Sequence, residues 1–244
     1  KPVEAEHRRL IKAYGIRSFR PRGLIFGSSR AEAGLDPQHP AWPAEARPVY
    51  NAAFPDGNVY EMRRYLEHAL ALADVRDVVI GLDFFAFNAR FGNRPDFTEA
   101  RLAVNTRGDH LPPPLDEPLG LLFSWDAVRK SAATLRGQHQ SPFLKRDGQQ
   151  VGRNEAPVAY HGYRGLFLIS EQEYLRYKWK PQPSREFVLR DPATGTGPLD
   201  DFARILALAR RHGVRLHLFL SPDHARLAEG VWQSGLWPLY EQWR

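Results

Sequence analysis

The chain has 244 residues, 43% of them hydrophobic and 25% charged, which is enough apolar content for a substantial core and too much for a disordered segment. It has no cysteine, which excludes disulfides, thiolate metal sites and a cysteine nucleophile, and no stretch approaches the ~18 consecutive apolar residues of a membrane helix. The formal charge of +6 is spread as isolated pairs such as Arg8-Arg9, Arg63-Arg64 and Arg210-Arg211, without a nucleic-acid-binding motif, so no nucleic-acid partner is expected.

Leu10, Ile11 and Tyr14 fall at helical spacing among charges within residues 5–14, and Gly23-Leu24-Ile25-Phe26-Gly27 is a short apolar run closed by Ser28-Ser29, which predicts a helix followed by a buried strand. Residues 48–52 read as a second strand. The turn cluster Pro55-Asp56-Gly57-Asn58 follows, and its Asn58 is suited to cap a helix in which Val59, Met62, Tyr65, Leu66, Ala69, Leu70 and Ala73 repeat at three and four. Residues 77–83 are apolar on both faces, as a central parallel strand is. The proline-rich stretch 88–197 reads as a long irregular insertion, a lid or specificity lobe, in which only 124–135 looks clearly helical. Regular alternation resumes at Leu199, with Asp200 and Asp201 opening a helix that Gly213 ends, and residues 214–220 form a strand stopped by Ser221-Pro222. Trp232, Leu236, Leu239, Tyr240 and Trp243 carry an apolar pattern toward Arg244, suited to core packing or to contact with further chain.

Alternating strands and helices imply an α/β fold, a three-layer sandwich around a mostly parallel sheet, spanning 1–244 as one domain. In such a sheet every strand's carboxyl end lies along one edge, where ligands bind. The polar residues closing the four strands are Ser28 and Ser29, Asn51, Asp83, and Ser221, Asp223 and His224, and the topology gathers them into one cleft. Ser29 stands in a Gly27-Ser28-Ser29-Arg30 turn beyond a buried strand, where the amino end of the next helix is placed to stabilise an oxyanion. The same residues have structural readings as well. Ser29 and His224 suit helix caps, and Asp83 suits a salt bridge to Arg30.

Leu24-Ile25-Phe26-Gly27-Ser28-Ser29 resembles the first block of the SGNH (GDSL) hydrolase superfamily, in which a hydrophobic strand runs into Gly-Asp-Ser and the last serine is the nucleophile. The Gly-Ser-Ser form is similar to the branch of D-alanine transfer proteins and alginate O-acetyltransferase-like proteins. The resemblance covers roughly 1–90 and 199–244 and implies a flavodoxin-like sheet with Ser29 as nucleophile. It implies oxyanion or substrate-binding roles for Ser28, Arg30, Asn51, Gly57 and Asp83. Three positions depart from the pattern: Ser28 replaces Asp, Asp56 stands where the second block has Gly, and Asp83 stands where the third block has Asn.

The family's Asp-x-x-His does not follow the last strand. Asp223-His224 is the stand-in for the orienting acid and the base, unless the true pair lies beyond Arg244. The expected function is a serine esterase or O-acyltransferase acting on a cell-envelope glycan or another acylated molecule, with no cofactor and no metal. The alternative is a non-catalytic envelope assembly or binding protein on the same scaffold. An extracytoplasmic location follows from the resemblance, with membrane contact through an N-terminal anchor ahead of Lys1.

Overall fold

The structure is a computed structural model that describes residues 7–112, 144–151, 155–179 and 186–244. Four strands, β1 (Gly23–Phe26), β2 (Val49–Asn51), β3 (Asp77–Leu82) and β4 (Arg215–Leu220), form one all-parallel sheet in the order β2-β1-β3-β4. Seven α-helices accompany them among the described residues: α1 (Arg8–Phe19), α2 (Ser29–Gly34), α3 (Val59–Leu72), α4 (Glu155–Glu173), α5 (Pro198–His212), α6 (Ala225–Gln233) and α7 (Trp237–Trp243). The predicted α/β architecture is present. The helix expected at 124–135 lies outside the described residues.

Side chains alternate along β1, and the two faces of the sheet accordingly carry separate apolar clusters. Leu24 and Phe26 join Val78, Ile80, Met62, Leu66, Ile205 and Ala209 in the larger one, while Ile25 packs with Ala31, Val49 and Ala53 in the smaller. Helices α3 and α5 pack on each other on the larger side. Asn58 caps α3 by accepting the amide of Glu61 at 2.8 Å, and Asp200 caps α5 by accepting the amide of Gly197 at 2.8 Å. Strand β4 is less covered, with Leu218 and Leu220 each more than 40% exposed.

The insertion departs from its expected irregularity, because α4 lies within it and continues into a π-helical turn, Tyr174–Lys178. Gly162, at φ 63°, divides α4 into two pieces, and together with Pro157 and Gly165 it interrupts the periodicity that would have announced a helix. Residues 237–243 form α7, whose Tyr240 and Trp243 pack around Phe84 with ring centroids 5.2 and 5.4 Å away.

Helix α1 buries charge. Leu10, Ile11 and Tyr14 are only part-buried, whereas Arg8, Arg9, Lys12, Ala13 and Ile16 face inward. Arg8 pairs with Glu32, Arg9 with Glu61 at 2.7 Å, and the Lys12 ammonium donates to the carbonyls of Asn51 (2.8 Å) and Gly148 (2.5 Å) beside Glu32. Burial outweighs Glu32 and pulls the Lys12 ammonium down to about 8. Each cation therefore needs its partners, and the partners tie α1 to α2, β2, α3 and the turn at 145–150.

Lys12→Ala is expected to cost about 3–5 kcal/mol in chemical denaturation, because it leaves buried Glu32 with Arg8 alone and two buried carbonyls without their donor. A second expectation concerns His68, whose Nε2 donates to the carbonyl of Ala13 (2.9 Å) and whose Nδ1 accepts the amide of Ala103 (2.8 Å). Burial lowers its pKa from 6.5 to about 4. The neutral ring's stabilisation is complete above pH 6.5 and is lost as pH falls through about 4, a change of about 3 kcal/mol. Denaturation curves between pH 7 and pH 4 should show that slope in the wild type and lack it in His68→Gln.

Candidate functional site

The sheet order makes the carboxyl edge between β1 and β3 the topological switch point, since the chain leaves β1 toward β2 and then returns past it to β3. Gly27 makes the turn there. Its φ is 143°, and a Cβ would sit 2.7 Å from Ala31 Cβ and 3.1 Å from the carbonyl oxygen of Gly81, so no other residue fits. The turn delivers Ser28 as the buried N-cap of α2, accepting the amide of Arg30 at 3.2 Å. Ser29 follows as the first helical residue, part-buried, and its hydroxyl has no hydrogen bond among the described residues.

Arg30 is the centre of the edge. It donates to Asp83 Oδ1 at 3.0 Å and to the Tyr174 hydroxyl at 3.2 Å, and it pairs with Asp223 at 2.6 Å. Asp83 is 2% exposed, and its Oδ2, like the Ser221 hydroxyl beside β3, is buried without a hydrogen-bond partner among the described residues. Burial raises the Asp83 pKa, opposed by Arg30 and by the nearby hydroxyls of Ser28 and Ser221.

The β2 loop lies beside this turn, because the amide of Phe54 donates to the carbonyl of Gly27 at 3.3 Å. Gly57 cannot contribute an oxyanion donor, since its amide already reaches the Phe54 carbonyl at 3.3 Å. Asp56 adopts the left-handed backbone that favours glycine, at φ 52°, and its own amide makes no backbone hydrogen bond among the described residues. Lys178 donates to its carboxylate at 2.7 Å, and that pairing holds Asp56 below the usual carboxylate range despite burial.

The other expected residues divide. Asn51 is fully buried and occupied: its Nδ2 donates to the carbonyls of Ala31 (3.0 Å) and Leu35 (3.1 Å), closing α2, and its Oδ1 accepts the amide of Ala53. It braces the site and does not face it. His224 is exposed, accepts the amide of Arg226 on Nδ1 at 3.2 Å, and lies against Phe167 with ring centroids 4.5 Å apart. With Nδ1 accepting, the neutral ring carries its proton on Nε2 and presents a donor, the opposite of what a base requires. Asp223 faces Arg30. No hydrogen bond joins Ser29, His224 and Asp223 among the described residues, so Asp223 and His224 do not form the expected acid–base pair here.

Tyr174 and Lys178 escaped the sequence reading, and their spacing of four was the one trace of a shared face. No group of three or more metal-ligating side chains occurs among the described residues. Comparison with family models, curated proteins and solved structures returns no match to this chain.

Because the Asp83 pKa is raised in the folded protein, its stabilisation is complete below the ordinary carboxylate range and declines as pH rises through the folded value. Wild type measured against Asp83→Asn by urea denaturation should therefore lose relative stability between pH 3.5 and pH 7. A flat difference would mean that Arg30 fully offsets burial.

Proposed function

We propose that this chain is a serine esterase or O-acyltransferase of the SGNH kind, acting outside the cytoplasm on an acylated cell-envelope glycan. The observation that carries the reading is Ser29: an uncommitted hydroxyl at the amino end of a helix, at the switch point of a parallel sheet, behind a turn that only glycine permits. The Ser29 oxygen attacks the acyl carbonyl and its proton passes to a base. The carbonyl carbon becomes tetrahedral, and collapse expels the alcohol, which takes up that proton and leaves an acyl-serine. Water or an acceptor hydroxyl then repeats the addition and frees the serine.

The oxyanion donors of this reading are the backbone amides of Ser29 and Asp56, while Asp83, which stands where the family pattern has Asn, stays paired with Arg30. His224 is the base on the same edge, and it must first release its cap on Arg226. Ser28 and Arg30 hold the turn and the Asp83 carboxyl in position. The reading needs no cofactor.

A second reading, a non-catalytic envelope assembly or binding protein, is favoured by one observation: Arg30, Asp83 and Asp223 already compensate one another, and His224 is occupied as a cap.

A fluorophosphonate probe separates the two. Labelling of the wild type that disappears in Ser29→Ala and falls about a hundredfold or more in His224→Ala is the expected result. Absence of labelling in a protein that unfolds cooperatively would overturn the enzyme and leave the binding protein.

A further inference from the structure

Away from the carboxyl edge, α3 and α5 line an open groove of about 570 Å³ with the turn around residues 104–110. Helix α3 contributes Arg63, Glu67, Leu70 and Ala71, and α5 contributes Arg204, Ala207, Leu208, Arg211 and His212. Both sets have the three-and-four spacing of a single helix face. The turn adds Arg107 and His110, held by the bridge between Val104 and His110. Four arginines and two histidines thus line a groove that holds one carboxylate, Glu67.

The cations fall into two groups. Arg63 is neutralised, with Glu67 at 2.6 Å and Asp201 at 2.7 Å, and Arg204 leans on the same Asp201 at 3.7 Å. Arg107 and Arg211, both exposed, make no ion pair among the described residues, and they share the groove's lining with Leu70, Ala71 and Leu208. A guanidinium left without a carboxylate partner can take phosphate or carboxylate oxygens in a forked geometry. The volume suits a small ligand and not a folded partner.

The geometry points to this groove as a binding site for a small oligoanion, a carbon framework bearing at least two phosphate or carboxylate groups, held by Arg107 and Arg211 beside Leu70, Ala71 and Leu208. The site stands independently of any chemistry at Ser29.

The test is isothermal titration calorimetry of the whole chain with two probes, trigalacturonate and fructose 1,6-bisphosphate, at matched ionic strength. Saturable one-to-one binding of either probe is expected, and the tighter one identifies carboxylate or phosphate as the recognised group. Affinity should fall about tenfold or more in Arg107→Glu/Arg211→Glu and stay unchanged in Arg210→Glu, a neighbouring exposed arginine outside the groove. Thermal denaturation of both variants confirms folding. No saturable binding of either probe, or equal weakening by both variants, would overturn the site, the second result showing attraction to diffuse basic charge only.

Discussion

The guanidinium of Arg30 joins parts of the chain that are almost two hundred residues apart in sequence. Asp83 follows β3, Tyr174 comes from the insertion, Asp223 follows β4, and Arg30 itself stands in the first turn of α2. A planar group with several donors in a fixed fork accepts such an assignment, and a lysine would not. Because Asp83 is buried, its carboxyl depends on that one cation. The turn holding Ser28 and Ser29 is thus fixed from below by glycine sterics at Gly27 and from above by charge.

The basic character of the protein is put to different uses in different places. In α1 the cations lie inside, and they serve as cross-links from that helix to α2, β2, α3 and the turn at 145–150. Lys12 illustrates the cost, since burial works against its charge even beside Glu32. Along the seam between α3 and α5, by contrast, some arginines are compensated and others are left facing an open groove. Net charge distinguishes none of these roles.

The sheet and its carboxyl edge were readable because parallel strands are short, apolar runs with polar residues at their ends, and the order of elements places those ends together. Gly27 and the serines after it were readable for the same reason. Asn51 was misleading: a polar residue at a strand end also suits a helix C-terminus, and here three carbonyls converge on its amide. The inward face of α1 was not legible, because periodicity identifies apolar stripes and this helix turns arginine and lysine to the core. Tyr174 and Lys178 were hidden by the glycines and proline of α4, which break the pattern just before the segment that touches the edge. Asp56 was flagged as a glycine replacement, and its backbone indeed takes the conformation that glycine favours.

The π-helical turn that ends α4 places Tyr174 and Lys178 on one step of the chain, the first touching Arg30 and the second Asp56. One contact engages a cation and the other an anion. The step cannot withdraw from one without withdrawing from the other, so its departure would expose a positive and a negative group together and leave the local net charge altered only by the lysine it carries away.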